Sequence, residues 1–356
     1  MSVELGIIEG YYGRPWSWTI RQEQVRFLAS HGYGFYIYAP KADLFLRERW
    51  REDHPADMAQ QLRALAYVCA DIGVRFGVGL SPFEIYRDFS AEAQDALTRK
   101  LAFLDEIGVD YLGILFDDMR GDLPDLADNQ VRIIHWIAER TRAKRLIACP
   151  TYYSDEVGLD TAFGRRPEGY VERFGAALDP AIDIFWTGEE VCSREYSPGH
   201  LARVSEQLGR KPFLWDNYPV NDGPRMSPYL FLRAFTGRPA PIGAHLAAHS
   251  VNPALQPVLS RIPALSLAES YRLGDAYQYG AAFRNAAEIV LGADLARHVE
   301  RHLGLFQDWG LDRLEPDAIT RLRQRYAAYD HPGAREIVAW LDGAYRVTRE
   351  MMETHG

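Results

Sequence analysis

Residues 111–118 read Tyr-Leu-Gly-Ile-Leu-Phe-Asp-Asp and join a short apolar run to two adjacent carboxylates. Such a run is typical of a strand buried on both faces of a parallel sheet, where ionisable residues are costly unless they lie at its open end. Segments with apolar residues three and four positions apart flank it, at 92–107 and 130–140. The stretch therefore predicts a strand between two helices, with the carboxylates at the end of the strand.

The same pattern recurs along the chain at intervals of about 30 to 40 residues, the length of one strand-plus-helix unit. The eight apolar runs lie at 5–8, 34–38, 76–80, 111–116, 146–149, 182–186, 213–215 and 242–247. Further helical periodicity lies between them, at 22–29 and 58–71. Eight alternations predict an α/β fold, a (β/α)8 TIM barrel, with an open doubly wound sheet as the main alternative.

From about Pro263 the periodicity is helical only, at 281–303, 316–329 and 336–352. We therefore expect two domains, a barrel at 1–262 and a helical C-terminal region at 263–356. The helical region could form a homodimer or wall one side of a cleft.

The bulk composition excludes several classes of partner. The net charge of −9 gives no general attraction for nucleic acid or for an anionic membrane surface. Three widely spaced cysteines, Cys69, Cys149 and Cys192, form neither a disulfide framework nor a metal-ligand pattern. No signal peptide or membrane span is evident, so a cytoplasmic location is expected.

Asp117 and Asp118 are the first candidates for chemistry, because the carboxyl ends of barrel strands form the active-site face. Two neighbouring carboxylates should raise the pKa of one of them and so provide a proton donor near neutral pH. Alternatively, one aspartate caps the next helix and the other faces water. Successive side chains of a strand point to opposite faces, so a shared site requires the chain to leave strand geometry at this pair.

Aromatic and amide side chains follow several other strand runs. Tyr153, Trp186, Trp215 and Asn217 could stack on a sugar ring and bond its hydroxyls. The two tryptophans could equally be core residues.

The order of the strand-end motifs resembles glycoside hydrolase family 84, which includes the protein O-GlcNAcases and bacterial homologues, some first described as hyaluronidases. The resemblance covers about residues 3–262. It rests on Glu-Gly-Tyr-Tyr-Gly-Arg-Pro-Trp at 9–16, Tyr-Ala-Pro-Lys at 38–41, Leu-Phe-Asp-Asp at 115–118, Cys-Pro-Thr at 149–151, Trp-Thr-Gly at 186–188, Trp-Asp-Asn at 215–217, Asn-Asp at 221–222 and Asn-Pro at 252–253.

The resemblance implies a retaining β-N-acetylglucosaminidase that needs no metal or organic cofactor. The substrate's own 2-acetamido oxygen would attack the anomeric carbon and form an oxazoline, an exception to the two-carboxylate scheme. Asp117 would orient the acetamido group, and Asp118 would protonate the leaving oxygen and later activate water. The substrate would be terminal β-linked GlcNAc on a glycoprotein or oligosaccharide. The resemblance assigns sugar binding to Gly10, Lys41, Tyr153, Trp215, Asn217, Asp222 and Asn252.

The sequence departs from the family pattern at Tyr11, where phenylalanine is usual, and at Phe83 and Glu84. We expect Phe83 and Glu84 to reshape the rim that meets the aglycone. Two other functions stay open: a non-catalytic GlcNAc-binding protein, and a metal-dependent barrel hydrolase that would use His245 and His249.

Overall fold

The computed structural model describes residues 3–353 and contains a closed barrel of eight parallel strands in chain order. The strands are β1 Leu5–Glu9, β2 Tyr33–Tyr38, β3 Arg75–Leu80, β4 Tyr111–Leu115, β5 Arg145–Cys149, β6 Asp183–Trp186, β7 Phe213–Asp216 and β8 Ala248–Val251. β1 pairs with both β2 and β8, which closes the sheet. The predicted (β/α)8 barrel is confirmed.

Helices surround the barrel and continue beyond it. They are α1 Trp18–Ala29, α2 Ala56–Asp71, α3 Ala91–Glu106, α4 Leu126–Ala138, α5 Gly158–Ala162, α6 Tyr170–Ala177, α7 Pro198–Leu208, α8 Pro257–Leu273, α9 Tyr279–Leu291, α10 Ala293–Leu303, α11 Pro316–Ala327, α12 Pro332–Leu341 and α13 Arg349–Glu353. The apolar faces of the surrounding helices pack on strands that are buried along almost their whole length, which accounts for the near-continuous apolar runs in the sequence.

The eighth predicted strand is wrong. Residues 242–247 lie mostly in the 3-10 turn Ala240–His245, and the strand follows at β8. β8 contains His249 and Ser250, whose polarity hides the strand signal. Both are buried because they find partners: Ser250 Oγ donates to the Leu214 carbonyl at 2.6 Å, and His249 Nε2 lies 3.1 Å from Asp216.

The helical region is more broken than its periodicity predicts. The expected helix at 281–303 is two helices, α9 and α10, because Gly292 between them has a φ of 75° that ends the first one. The expected helix at 336–352 is likewise divided into α12 and α13, with Gly343 at a φ of 78° in between.

Glu336 of α12 joins the helical region to the barrel. Its carboxylate accepts the backbone N–H groups of Val258 and Leu259, both at 2.9 Å, and so caps the first turn of α8. The predicted domain boundary between residues 262 and 263 falls inside α8, and the division into two domains stays a prediction. Among residues 3–353, no helix has the length and apolar composition needed to cross a membrane.

Candidate active site

The carboxyl ends of the strands surround a cavity of about 360 Å³. Both aspartates predicted for catalysis and all seven residues to which the resemblance assigns sugar binding lie on its wall. They are Gly10, Lys41, Asp117, Asp118, Tyr153, Trp215, Asn217, Asp222 and Asn252. Their roles remain predictions, but their convergence is a property of the fold.

The backbone changes direction at the two adjacent aspartates. β4 ends at Leu115, and Asp118 has a φ of 57°, a left-handed conformation that is uncommon for a residue other than glycine. As a result both carboxylates reach the same cation: Lys41 Nζ lies 2.5 Å from Oδ2 of Asp117 and 3.3 Å from Oδ2 of Asp118. The predicted departure from strand geometry is confirmed.

Lys41 is 4% exposed and lies between the two carboxylates. Burial lowers the pKa of Lys41, but the charges of Asp117 and Asp118 outweigh burial and hold the pKa above its usual value. The side chain of Lys41 is therefore an ammonium ion at neutral pH.

Asp118 accepts three hydrogen bonds or ion-pair contacts. The hydroxyl of Tyr12 donates to Oδ2 at 2.8 Å, the hydroxyl of Tyr153 donates to Oδ1 at 3.2 Å, and Lys41 approaches Oδ2. Burial raises the pKa of Asp118, but Lys41, the nearby Arg47 guanidinium and the hydrogen bond from Tyr12 outweigh it, and the pKa lies below its usual value. The expectation of a raised pKa is thus wrong for Asp118, because two cations, Lys41 and Arg47, lie beside its carboxyl group in the fold.

Asp117 is bonded on one side only. Its Oδ2 pairs with Lys41, whereas its buried Oδ1 has no hydrogen-bond partner among the described residues. A buried carboxylate oxygen without a donor is uncommon in folded proteins and is expected where a ligand supplies the missing donor.

Asp222 is the carboxyl group of the cavity whose pKa is raised. Burial, with a smaller contribution from the charge of Asp118, raises the pKa of Asp222 to about 6, although the Tyr12 backbone N–H donates to its Oδ2 at 2.9 Å. Tyr12 therefore contacts two carboxylates, with its backbone on Asp222 and its hydroxyl on Asp118.

Two asparagines and a tryptophan form a hydrogen-bonded wall. Asn217 Oδ1 accepts from Trp215 Nε1 at 3.1 Å and from Asn252 Nδ2 at 2.9 Å, and Asn252 Oδ1 accepts from the Gly10 backbone at 3.2 Å. A Cβ at Gly10 would lie 2.2 Å from the Trp215 ring, so only glycine allows this close approach. The wall is therefore fixed in position before any ligand binds.

The two predicted tryptophans have different environments. Trp215 lines the cavity, whereas Trp186 is fully buried, lies outside the cavity wall and places its Nε1 3.3 Å from Nε2 of His200. Trp186 is therefore a core residue, and its neighbour Thr187 reaches the cavity instead.

Phe83 and Glu84 do not line the cavity. The Phe83 ring lies under the guanidinium of Arg47 at 5.3 Å, and Glu84 pairs with Arg87 at 2.6 Å. The structure therefore gives no support to the expected role of these residues at the aglycone rim.

Sequence reasoning left out several residues of the site. Tyr12 lies within the quoted motif at 9–16, so its polar tip beside a strand end was an available signal. No sequence signal pointed to Arg47 or Met352. Arg47 follows a short turn, and Met352 of α13 reaches the cavity from the far end of the chain. The helical region thus lines part of the cavity, one of the two roles left open for it. Within residues 3–353 no group of three or more histidine, cysteine or acidic residues is arranged to hold a metal ion.

Comparison with known proteins identifies the family. A family model described as beta-N-acetylglucosaminidase matches residues 5–306. The chain belongs to this family, glycoside hydrolase family 84. The resemblance seen in the sequence is confirmed, and with it the class of enzyme, a glycoside hydrolase.

Relatives of this glycoside hydrolase include the protein O-GlcNAcases of Rattus norvegicus and Mus musculus, each 29% identical over 276 residues. The alignment covers 75% of this chain and 30% of each relative, so the chain spans about a third of their length. Among solved structures, a mutant O-GlcNAc hydrolase of Thermobaculum terrenum matches with a TM-score of 0.78 at 29% identity. That match covers 95% of this chain and 80% of the other.

Proposed function

We propose that this glycoside hydrolase is a retaining β-N-acetylglucosaminidase that removes terminal β-linked GlcNAc through an oxazoline intermediate. The observation that carries the proposal is the cluster in which Asp117, Asp118 and Lys41 share one cavity, with an oxygen of Asp117 left without a donor. A cavity of about 360 Å³ is in the range of small-ligand sites and accepts one sugar ring.

Asp117 is suited to hold the acetamido group. Its unpaired Oδ1 can accept the acetamido N–H, which makes the acetamido carbonyl oxygen more nucleophilic and directs it towards the anomeric carbon. The carbonyl oxygen then forms a bond to that carbon as the bond to the aglycone oxygen breaks. The acetamido N–H proton passes to Oδ1 of Asp117, which leaves a neutral cyclic oxazoline. Lys41 holds the Asp117 carboxyl group in place for this role, because its Nζ lies 2.5 Å from Oδ2.

Asp118 is suited to move the proton. Asp118 is a carboxylate that accepts hydrogen bonds from Tyr12 and Tyr153. In the second step this form takes a proton from water, the water oxygen bonds to the anomeric carbon, and the oxazoline bond between that carbon and the carbonyl oxygen breaks. When a sugar fills the cavity it excludes water, and this raises the cost of the charge and hence the pKa of Asp118. The protonated group then donates to the leaving oxygen in the first step.

The remaining wall is suited to the sugar hydroxyls. Asp222 offers acceptor oxygens, and the amides of Asn217 and Asn252 are already oriented by Trp215 and Gly10. The O-GlcNAcase relatives support a GlcNAc-bearing protein as one substrate class, and an oligosaccharide is the other.

Substrate assistance is tested by replacing the acetyl group of an aryl β-N-acetylglucosaminide with fluoroacetyl, difluoroacetyl and trifluoroacetyl groups. Each fluorine weakens the carbonyl nucleophile, so we expect kcat/KM to fall steadily along the series. An unchanged rate would mean that an enzyme group or water attacks the anomeric carbon. Binding of GlcNAc without turnover of any aryl glycoside would instead favour the non-catalytic function.

The role of Asp118 is tested by Asp118→Asn with good and poor leaving groups. Loss of the acid should lower kcat/KM by about 10²–10⁴-fold on poor leaving groups, with a much smaller loss on dinitrophenyl, which leaves without protonation. Equal losses on both substrates would contradict the assignment.

A further inference from the structure

We propose that Arg47 is a positioning residue that holds Asp118 in the backbone conformation directing its carboxylate into the cavity. The inference rests on the proposed role of Asp118 as proton donor. Arg47 lies behind the cavity wall and is not among the residues that line it.

Arg47 connects the ends of β3 and β4. Its Nη2 donates to the backbone carbonyl of Asp118 at 3.2 Å, and its Nη1 donates to Ser81 Oγ, also at 3.2 Å. The backbone N–H of Ser81 donates to the Leu46 carbonyl at 2.8 Å, which fixes the turn that carries Arg47. The planar guanidinium thus spans two strand ends with its two terminal nitrogens.

The bond to Asp118 matters because that residue is strained. Asp118 has a φ of 57°, and a non-glycine residue in this conformation is strained and persists only where its surroundings hold it. The Arg47 contact is made by the carbonyl of this same residue, so it stabilises the turn that brings the Asp118 carboxylate to Lys41. Without it the carbonyl would lose a charged donor, and an alternative backbone conformation would become accessible.

The charge at Arg47 is hard to explain by stability alone. The side chain is 2% exposed, no carboxylate lies within ion-pair distance of it among the described residues, and its Nε has no hydrogen-bond partner. Burying such a cation is costly, and an apolar side chain of similar length would fill the space at lower cost. Its contacts point instead to Asp118, because Nη2 bonds the backbone carbonyl of that residue and the positive charge favours the ionised form of its carboxyl group.

Phe83 packs against the Arg47 side chain. Its ring covers the guanidinium at 5.3 Å and limits where the side chain can lie. Phe83, one of the departures from the family pattern, therefore contacts Arg47 in this structure and does not line the cavity.

The experiment compares wild type, Asp118→Asn, Arg47→Met and Arg47→Lys on aryl β-N-acetylglucosaminides of graded leaving-group ability. If Arg47 positions the acid, Arg47→Met lowers kcat/KM about 10-fold or more on poor leaving groups and no more than about threefold on dinitrophenyl. Arg47→Lys keeps the positive charge but cannot donate to Ser81 and Asp118 with two planar nitrogens. Its kcat/KM on poor leaving groups should therefore lie between those of the wild type and Arg47→Met. If Arg47→Met does not fold, Arg47→Lys decides the question by the same ratio.

Arg166→Met is a matched control. Arg166 also donates to a backbone carbonyl, that of Ser154 at 3.0 Å, and covers an aromatic ring, that of Tyr152 at 4.8 Å, but it touches neither aspartate. This variant should keep the wild-type dependence on leaving group. Equal losses across leaving groups in the Arg47 variants, or none at all, would overturn the inference. If Asp118→Asn loses the same factor in kcat/KM on good and poor leaving groups, the role of Asp118 in the proposed function is wrong, whatever the Arg47 variants show.

The pH profile supplies a second readout. Removing the guanidinium raises the pKa of Asp118. On a poor leaving group, the pH above which kcat falls should therefore be higher in Arg47→Met than in the wild type, and close to wild type in Arg47→Lys. A limb that does not move in Arg47→Met would overturn the electrostatic part of the inference. The other groups that face Asp118 are unchanged in both variants: Lys41, Tyr12, Tyr153, Asp117 and Asp222.

Discussion

Two buried clusters at the ends of barrel strands β7 and β4 pair carboxylates with cations, yet they differ in how completely their atoms are bonded. At the end of β7, Asp216 accepts two bonds from Arg238, at 2.7 and 2.9 Å, and one contact from His249 at 3.1 Å, so both oxygens are paired. At the end of β4, Asp117 has a buried oxygen without a donor. The first cluster is complete without a ligand, and the second is not.

The protonation of the two clusters follows from the same contacts. Burial raises the pKa of Asp216, but Arg238 and His249 outweigh it and hold the pKa below its usual value. Burial lowers the pKa of His249, so the ring is neutral, with Nε2–H facing Asp216 and Nδ1 accepting from Tyr271 at 2.8 Å. The charged and polar groups of this cluster are bonded to one another, and none of them lines the cavity.

Replacing Asp216 should therefore affect stability most. Asp216→Asn leaves Arg238 buried without its counter-charge, and we expect the free energy of unfolding to fall by about 3–5 kcal/mol. Denaturant unfolding measures this. Asp308→Asn is the control, because Asp308 pairs with Arg233 near the surface and its loss should cost less than about 1 kcal/mol. A similar loss in the two variants would remove the distinction.

Replacing Asp117 should lower activity strongly and stability little, the opposite of replacing Asp216. Asp117→Asn removes the charge that holds the acetamido group, and kcat/KM should fall by about 10²–10³-fold, as when a preorganised polar group is removed from an active site. Lys41 keeps Asp118 as a partner at 3.3 Å, so we expect unfolding to change by less than about 1 kcal/mol. Comparing activity and unfolding in Asp117→Asn and Asp216→Asn tests whether the two clusters have different purposes. A large loss of stability in Asp117→Asn would contradict this.

The pH dependence sharpens the comparison within the cavity. Because burial raises the pKa of Asp222 to about 6, the group is protonated below that pH and loses its acceptor character. On a dinitrophenyl substrate, which needs no proton from Asp118, we expect kcat/KM to fall about tenfold per pH unit below pH 6 in the wild type, and this limb to disappear in Asp222→Asn. Glu336, whose pKa burial raises to about 7, lies outside the cavity, so Glu336→Gln should retain the limb. A limb that persists in Asp222→Asn would belong to another group.

The sequence could predict the barrel because apolar runs and helical segments alternate with a fixed period, and strand ends of a barrel meet on one face. That geometry brought Asp117 and Asn252 to one cavity although the sequence separates them widely. β8 was misplaced because a strand with paired polar residues lacks the apolar signal. His249 and Ser250 could be read as strand residues only once Asp216 and Leu214 were known to face them.

The electrostatics of the site depended on contacts that no spacing reveals. The pKa of Asp118 is lowered rather than raised because Arg47 arrives from a loop and Lys41 is shared with Asp117. Met352 reaches the cavity through the path of the helical region, which periodicity cannot trace. The sequence could predict which adjacent groups take part in chemistry. The electrostatic potential at a carboxylate could not be predicted, because it depends on residues that only the fold brings together.

The smallest expected effect is at the edge of the complete cluster. Tyr271→Phe removes the hydroxyl that donates to His249 Nδ1 and leaves that buried nitrogen without its partner, so unfolding should become easier by about 0.5–1.5 kcal/mol. Activity should stay within about twofold of wild type, because Tyr271 lies on α8, away from the cavity. Tyr67→Phe, at an exposed tyrosine, is the control and should change neither quantity. If Tyr271→Phe instead lowered activity at unchanged stability, the Asp216 cluster would be acting on the sugar wall through Trp215 and Asn217, and completeness of bonding would no longer separate a structural cluster from a functional one.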